Sequence, residues 1–150
     1  MLFRSEIPSD VMVRAARASQ GLVVVNAAPV REIPRELMDR ANVFVMNHIE
    51  FEQYGRPSRG TVVVTNGAHD AVSYSNGVEV ARATPPEIEA VDSVGAGDTF
   101  TAAFAVGIVS GNGPSTALRI AVKAAALATR GVGAQTSIPT AEELDAALRA

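Results

Sequence analysis

The chain has 150 residues, of which 47% are hydrophobic and 5% aromatic, so it is the size of one ordinary domain with an aliphatic core. Its net charge of -3 argues against nucleic acid as the main partner, because phosphate binding needs a basic surface. The absence of cysteine excludes disulfide scaffolds, cysteine-ligated zinc, iron–sulfur clusters and thiol catalysis. No apolar run reaches the ~20 residues of a membrane span and no secretory signal is visible, which predicts a soluble cytoplasmic domain.

The first half of the chain alternates helical patterns with short runs rich in β-branched residues. The helical patterns are residues 11–19, which Ser9 and Asp10 introduce and Gly21 follows, a short segment entered at Pro34, and residues 50–54. The β-branched runs, which predict buried strands, are residues 22–26, 43–46 and 61–65. This alternation predicts an α/β fold whose mainly parallel sheet is flanked by helices.

The second half begins with a different pattern, because Asn76-Gly77 between two β-like segments predicts an antiparallel hairpin at the sheet edge. A short strand is expected at residues 88–91, followed by a helix to residue 109 that is apolar nearly all round and therefore buried. A helix over residues 115–130 carries a stripe of alanines that would let a second helix approach closely: Ala117, Ala121, Ala124 and Ala128. A last helix starts at Thr140 with Glu143 completing a capping box. We expect one domain over residues 1–150.

The most informative segment is Gly95-Ala96-Gly97-Asp98, which lies between a predicted strand and the buried helix. Gly95 and Gly97 would allow positive φ and leave backbone N–H groups uncovered, so the helix start could hold an anion. Asp98 in the first turn would stay ionised and could orient an attacking hydroxyl while a phosphoryl group is transferred. The alternative is structural: the glycines form a turn and Asp98 only compensates the helix dipole.

A second candidate site is Asn47-His48-Ile49-Glu50, directly after a predicted strand. Ligands in open parallel sheets bind beyond the carboxyl ends of the strands, where Asn47 and Glu50 would lie. Both side chains could reach one hydrated magnesium ion, which usually takes only one or two carboxylates. The alternative is a capping box between the two residues, and on this motif alone capping is the better interpretation.

Two further loops are candidates. Thr65-Asn66-Gly67-Ala68 follows a strand and would lie on the same rim, although it could be a plain turn into the hairpin. The glycine-containing loop over residues 131–137 follows the alanine-striped helix and could be only a helix cap and connector. The histidines and carboxylates show no zinc spacing, and no G-x-S-x-G motif supports a serine hydrolase.

The order and spacing of these motifs resemble the ribokinase-like (PfkB) family of carbohydrate kinases. Residues 92–100, Asp-Ser-Val-Gly-Ala-Gly-Asp-Thr-Phe, resemble its D-T-x-G-A-G-D-x-F signature, and Asn47 to Glu50 are similar to its N-x-x-E motif. Thr65-Asn66-Gly67 resembles its T-x-G strand end, and residues 133–139 its G-A-Q-x-S-[IV]-P. Within the family, residues 26–37 are most similar to the ribokinases. The resemblance covers essentially the whole chain.

The resemblance implies ATP-dependent phosphorylation of a sugar hydroxyl, with ribose to ribose 5-phosphate as the expected reaction. It makes Asp98 the catalytic base and places the N–H groups of Gly95, Ala96 and Gly97 around the transferred phosphoryl group. It implies magnesium and nucleotide phosphates near Asn47 and Glu50. The implied nucleotide-lining residues are Thr65, Asn66, Gly67, Ala68 and Val122. The implied ligands of a potassium activator are Asp92, Val94, Ala128, Gly131, Gly133 and Ser137.

The chain departs from the family in length and at two positions. Family members are about twice as long, within the normal range for α/β domains, so the chain resembles only the C-terminal half, without most sugar contacts. It is then expected to be truncated or split, with an exposed sheet edge that a second copy or a separate N-terminal half would cover. Asp70 replaces the second glycine of T-x-G-x-x-G and is expected to weaken ATP binding, whereas Val122 is expected to change only an adenine contact. Two alternatives remain: a catalytically silent nucleotide-binding or interaction module, and a relict chain without a stable fold.

Overall fold

A computed structural model describes residues 1–55 and 60–149, which form one six-stranded sheet and six helices. The strands are β1 (Leu2–Arg4), β2 (Val24–Asn26), β3 (Val43–Asn47), β4 (Thr61–Asn66), β5 (His69–Ser75) and β6 (Val78–Ala83). The helices are α1 (Ser9–Ala18), α2 (Arg35–Arg40), α3 (His48–Tyr54), α4 (Ala96–Val109), α5 (Pro114–Ala128) and α6 (Ala141–Arg149). The predicted α/β class is confirmed.

The strands follow one another across the sheet in chain order, β1-β2-β3-β4-β5-β6. The first four are parallel, and Asn47 at the end of β3 lies in register with Thr65 of β4. β5 and β6 are joined by the predicted Asn76-Gly77 turn, where both residues have positive φ (48° and 81°). A two-residue connection requires antiparallel neighbours, so the expected edge hairpin is present.

The chain divides into two compact units. The first contains residues 1–67 and 72–81, and the second contains residues 68–71 and 82–150. In the first unit, alternate residues of the strands pack against Met12 and Ala16 of α1 and Leu37 of α2. β2, β3 and β4 are buried along both faces, which explains why their sequences are continuous apolar runs rather than alternating ones.

The second unit is centred on α4 and α5. The four alanines of the predicted stripe are all buried on α5, at Ala117, Ala121, Ala124 and Ala128. A Cβ at Gly107 of α4 would lie 3.0 Å from the Cβ of Ala117, so the two helices meet where neither has a large side chain. The close helix approach predicted from the stripe is therefore confirmed.

Three predictions about elements were wrong or incomplete. Residues 88–91 are not a strand, because the Val91 N–H donates to the Thr129 carbonyl at the end of α5 rather than to a strand neighbour. α4 is not buried all round, since Val106 and Val109 are 64% and 72% exposed. β1 was not anticipated, because three residues are too short for a recognisable period. The capping box at Thr140 was predicted correctly: the Thr140 N–H donates to Glu143 Oε2 (2.8 Å) and the Glu143 N–H to Thr140 Oγ1 (3.2 Å).

None of the helices in residues 1–55 and 60–149 combines the length and the apolar character needed to cross a bilayer.

Candidate functional site

The N-terminus of α4 is shaped by Gly95, its capping residue. Gly95 has a left-handed backbone conformation, with φ 83° and ψ -6°. A Cβ at this position would lie 2.9 Å from the Cα and carbonyl oxygen of Ala134, so glycine is required both by the turn and by the approach of the loop after α5. The turn before α4 and this loop are thus in direct contact within the second unit.

Gly97 and Asp98 occupy the first turn of α4. Gly97 is helical and does not adopt the positive φ that glycine allows; a Cβ there would meet nothing within 4 Å. Among the residues that the structure describes, the Gly97 N–H has no hydrogen-bond acceptor. Asp98 is exposed and lies off the buried face formed by Phe100, Phe104 and Gly107. An open donor and a carboxylate therefore share one exposed helix start, where the dipole favours an anion.

Asp92 fastens the segment before α4 to the loop after α5. Its Oδ1 accepts from the Val94 N–H (2.9 Å) and its Oδ2 from the Gly133 N–H (3.0 Å). The Gly133 and Val94 N–H groups hold the pKa of the Asp92 carboxyl below its ordinary value. Val94 and Gly133, two of the predicted potassium ligands, are thus linked through Asp92, which is a third predicted ligand.

This contact predicts a pH-dependent contribution to stability. Because the pKa of Asp92 is lower in the folded chain than in the unfolded one, its stabilisation is present above about pH 5 and is lost as the pH falls through the folded pKa. In Asp92→Asn an amide nitrogen would face one of the two N–H donors, so the pH-dependent contribution of this residue to stability disappears. We expect thermal unfolding to separate wild type from Asp92→Asn at about pH 6, and the separation to shrink as the pH is lowered below the ordinary pKa of an aspartate, about 4.

The comparison with Asp92→Asn is needed because the pKa values of Asp70 and Glu143 are lowered as well, by hydrogen bonds to Thr84 and Thr140 respectively. Both carboxylates remain in the variant and give it a pH dependence of its own. A difference between the two proteins that stayed constant from neutral to acid pH would contradict the role given to Asp92.

Ser137 has a buried hydroxyl oxygen beside this loop. Its Oγ is inaccessible to solvent and has no hydrogen-bond partner among the residues that the structure describes. A Cβ at Gly131 would lie 3.0 Å from it, so a side chain at this position would press against the hydroxyl. An unpartnered buried hydroxyl is costly unless a ligand completes its coordination. Ala128, the remaining predicted ligand, is buried in the last turn of α5.

In the first unit, Asn47 and Glu50 form the capping box that was the alternative interpretation. Asn47 Oδ1 accepts from the Glu50 N–H (2.9 Å), and Glu50 Oε2 accepts from the Asn47 N–H (2.7 Å). Glu50 is 6% exposed. The register of β3 and β4 places Thr65 beside Asn47, so both predicted strand-end motifs lie at the carboxyl edge of the same pair of strands.

Asp70 is engaged by two side chains that the sequence analysis did not identify. Its Oδ1 accepts from Thr84 Oγ1 (2.7 Å) and its Oδ2 from Arg82 Nη1 (3.3 Å). The Thr84 hydroxyl and then the Arg82 guanidinium lower the pKa of the Asp70 carboxyl. The sequence did offer a signal for the ion pair, because Asp70 and Arg82 carry opposite charges and lie on the two strands of the hairpin, β5 and β6.

The predicted site residues fall into separate groups. The second unit brings together the α4 start and the loop after α5, through the approach of Gly95 to Ala134 and the hydrogen bond from Gly133 to Asp92. It also contains Ala68, at the turn before β5, and Val122, which is 4% exposed on α5. Asn66 and Gly67 end the strand-end motif of the first unit. Within the described parts of the chain, no three His, Cys, Asp or Glu side chains are grouped as a metal cage would need.

Comparison with known proteins agrees with the motifs. Residues 10–141 match the pfkB family of carbohydrate kinases. The chain is 31% identical to ribokinase of Bacillus subtilis (strain 168), with 97% of this chain and 53% of the relative aligned. It is 28% identical to 5-dehydro-2-deoxygluconokinase of the same organism, with 89% and 39% aligned.

Solved structures show the same relationship. The structure of Arabidopsis thaliana ribokinase complexed with ribose and ATP superposes with a TM-score of 0.89 at 27% identity, covering 99% of this chain and 55% of that protein. The crystal structure of Thermotoga maritima ribokinase has the same TM-score at 26% identity and covers 99% of this chain and 56% of that protein. The chain spans about half the length of the relatives it matches. Because the family match covers most of its residues, the chain belongs to the pfkB family of carbohydrate kinases.

Proposed function

We propose that this chain supplies the nucleotide-binding and phosphoryl-transfer part of an ATP-dependent sugar kinase, with ribose to ribose 5-phosphate as the reaction. The observation that carries the proposal is the start of α4, where the Gly97 N–H has no acceptor among the described residues and Asp98 is exposed one residue later. Family membership supports ATP as the phosphoryl donor, and the Arabidopsis relative was solved with ribose and ATP. A kinase that draws on cellular ATP also fits the cytoplasm, which we propose as its location.

The α4 start would perform the transfer itself. The N–H groups at Gly95 and Gly97 would stabilise the charge on the phosphoryl group as it moves, because fixed dipoles need no reorganisation during the reaction. The Ala96 N–H, which donates to the Ser93 carbonyl (3.2 Å), would be shared with the phosphoryl group. The Asp98 carboxylate would accept a hydrogen bond from the sugar hydroxyl and take its proton as the new P–O bond forms. The bond from the γ-phosphorus to the bridging oxygen breaks, and ADP leaves.

The nucleotide would be held by the strand-end residues. Thr65, Asn66 and Gly67 end β4, and Ala68 follows in the turn, as the family resemblance requires. We keep Val122 as a proposed neighbour of the adenine. Magnesium would be held mainly by the ATP phosphates and by water, since one oxygen of Glu50 and the amide oxygen of Asn47 are used in the capping box.

A potassium ion fits the loop after α5. The buried Ser137 hydroxyl without a hydrogen-bond partner and the close Gly131 backbone leave an oxygen that a cation would complete. The other proposed ligands are Asp92 and the carbonyls of Val94, Ala128 and Gly133. When bound, the cation would add positive potential near the α4 start, to which this loop is joined at Gly95 and Ala134.

A second candidate is a catalytically silent nucleotide-binding module, since the roles proposed above include one contact to the sugar, that of Asp98. In the sheet as described, β1 is a terminal strand that pairs with β2 alone, and open parallel edges are rarely tolerated. We therefore propose a partner, either a second copy of this chain or a separate N-terminal half. A monodisperse monomer in sedimentation, with cooperative unfolding, would count against that partner.

Calorimetry and turnover distinguish the two candidates. Magnesium-ATP and ribose are titrated separately into the chain, and ADP release is then followed with both present. Binding of ATP with ribose-dependent ADP release is the result expected of the kinase. ATP binding without ribose-dependent release would favour the silent module, and binding of neither ligand would overturn both candidates.

A further inference from the structure

Asp70, Arg82 and Thr84 form a charge-balanced cluster in the second unit. Asp70 lies near the start of β5, and the other two residues lie at and just beyond the end of β6. Thr84 occupies one carboxylate oxygen at 2.7 Å and Arg82 the other at 3.3 Å. The carboxylate is thus fixed in direction by a neutral donor and neutralised by a cation.

The cluster is close to a residue proposed to line the nucleotide. Ala68 precedes Asp70 by two residues, and a strand rises about 3.3 Å per residue, so the two Cα atoms are within about 7 Å. This distance is inside the screening length of about 8 Å at physiological ionic strength. An isolated carboxylate here would raise the energy of bound ATP through repulsion of its phosphates.

We propose, building on the function proposed above, that Arg82 is a positioning residue for ATP. Its guanidinium cancels the charge of Asp70 and, with the Thr84 hydroxyl, holds that carboxylate on the hairpin. The edge of the nucleotide site near Ala68 then carries no net charge from this cluster. Asp70 is therefore tolerated in a position where the family pattern has glycine because Arg82 balances its charge.

The proposal gives two single variants opposite signs. Arg82→Gln leaves the Asp70 charge without its cation and weakens ATP binding by about three- to ten-fold, as expected for one nearby charge in a solvated site. Asp70→Asn leaves the Arg82 charge in excess and strengthens ATP binding by a similar factor. The double variant restores the wild-type net charge and binds ATP within about two-fold of wild type. If the cluster were merely structural, both single variants would bind ATP more weakly than wild type.

The measurement is calorimetric affinity for magnesium-ATP and for adenosine, at low and at high salt. Adenosine carries no phosphate, so its affinity is expected to stay within about two-fold in all four proteins, and high salt reduces the differences seen with ATP. Thr84→Val keeps the charge balance and the side-chain shape, so a small ATP effect in this control separates orientation from charge. Unfolding midpoints show whether each variant is folded.

Each outcome decides the matter. Opposite changes in ATP affinity with constant adenosine affinity support the proposal. Equal losses for ATP and adenosine, or ATP binding unchanged in Arg82→Gln, overturn it while leaving the proposed function intact. An absence of ATP binding in the wild-type chain overturns the proposed function and this inference together. If Arg82→Gln does not fold, Asp70→Asn alone must bind ATP more tightly, and weaker binding overturns the proposal.

Discussion

Replacing Gly95 by alanine is expected to destabilise the chain by about 2–5 kcal/mol. The backbone of Gly95 has φ 83°, which a residue with a Cβ adopts at a cost. The added methyl group would also lie 2.9 Å from the Ala134 backbone, which has no flexible side chain to move aside. Chemical denaturation of the purified chain measures the effect. A loss of less than about 1 kcal/mol would mean that the turn before α4 is not formed as described.

Gly97→Ala is the matched control for stability, since it adds the same methyl group two residues away. Nothing lies within 4 Å of a Cβ at Gly97, and its backbone is helical. Alanine should leave stability unchanged or raise it by up to about 1 kcal/mol. The open space is nevertheless the proposed path of the phosphoryl group, so ribose-dependent ADP release should fall at least about ten-fold. Full activity in this variant would place the phosphoryl group elsewhere.

Asp98→Asn is expected to reduce ribose-dependent ADP release by about 10²- to 10⁴-fold, the range typical of a lost general base. The amide cannot accept the hydroxyl proton, although it keeps the size of the side chain. Because Asp98 is exposed at the start of α4, the change should not disturb the packing against α5. The affinity for magnesium-ATP is expected to be kept or to rise by up to about ten-fold, because the variant removes a charge that repels the phosphates.

Ser93 and Thr99 lie on either side of the turn before α4. The variant Ser93→Ala tests whether the loss of turnover is specific to Asp98. Ser93 is exposed outside the helix, so Ser93→Ala should retain most of the activity. Asp98→Asn turning over at a rate similar to Ser93→Ala would show that Asp98 is not the base. A parallel loss of ATP affinity and turnover in Asp98→Asn would show instead that the carboxylate acts in nucleotide binding.

The elements that could be predicted are those with a local signature. β2, β3 and β4 are buried on both faces and are therefore apolar throughout, and the capping boxes at Asn47 and Thr140 need only residues three positions apart. The alanine stripe of α5 likewise predicted a close approach of another helix, which is α4. In each case the determining residues are neighbours in sequence or on one helix face.

The features that escaped prediction depend on partners distant in sequence. Residues 88–91 look like a strand, but the Val91 N–H is taken by the carbonyl of Thr129. Gly95 and Gly97 look alike, and only the approach of Ala134 shows that the first is required by the fold. The neutralisation of Asp70 by Arg82 could be seen only once the two strands of the hairpin were side by side. Family motifs identified the candidate residues, and the contacts explain several of them.

The contact between Gly95 and Ala134 has a consequence for engineering this chain. Surface loops normally tolerate insertions, and residues 131–137 form such a loop. Here, however, the loop backbone rests against the turn before α4 and Gly133 donates to Asp92, so its length sets the distance between two remote segments. One extra residue would shift Ala134 away from its contact with Gly95, which makes this loop a poor place for tags, grafted peptides or circular permutation.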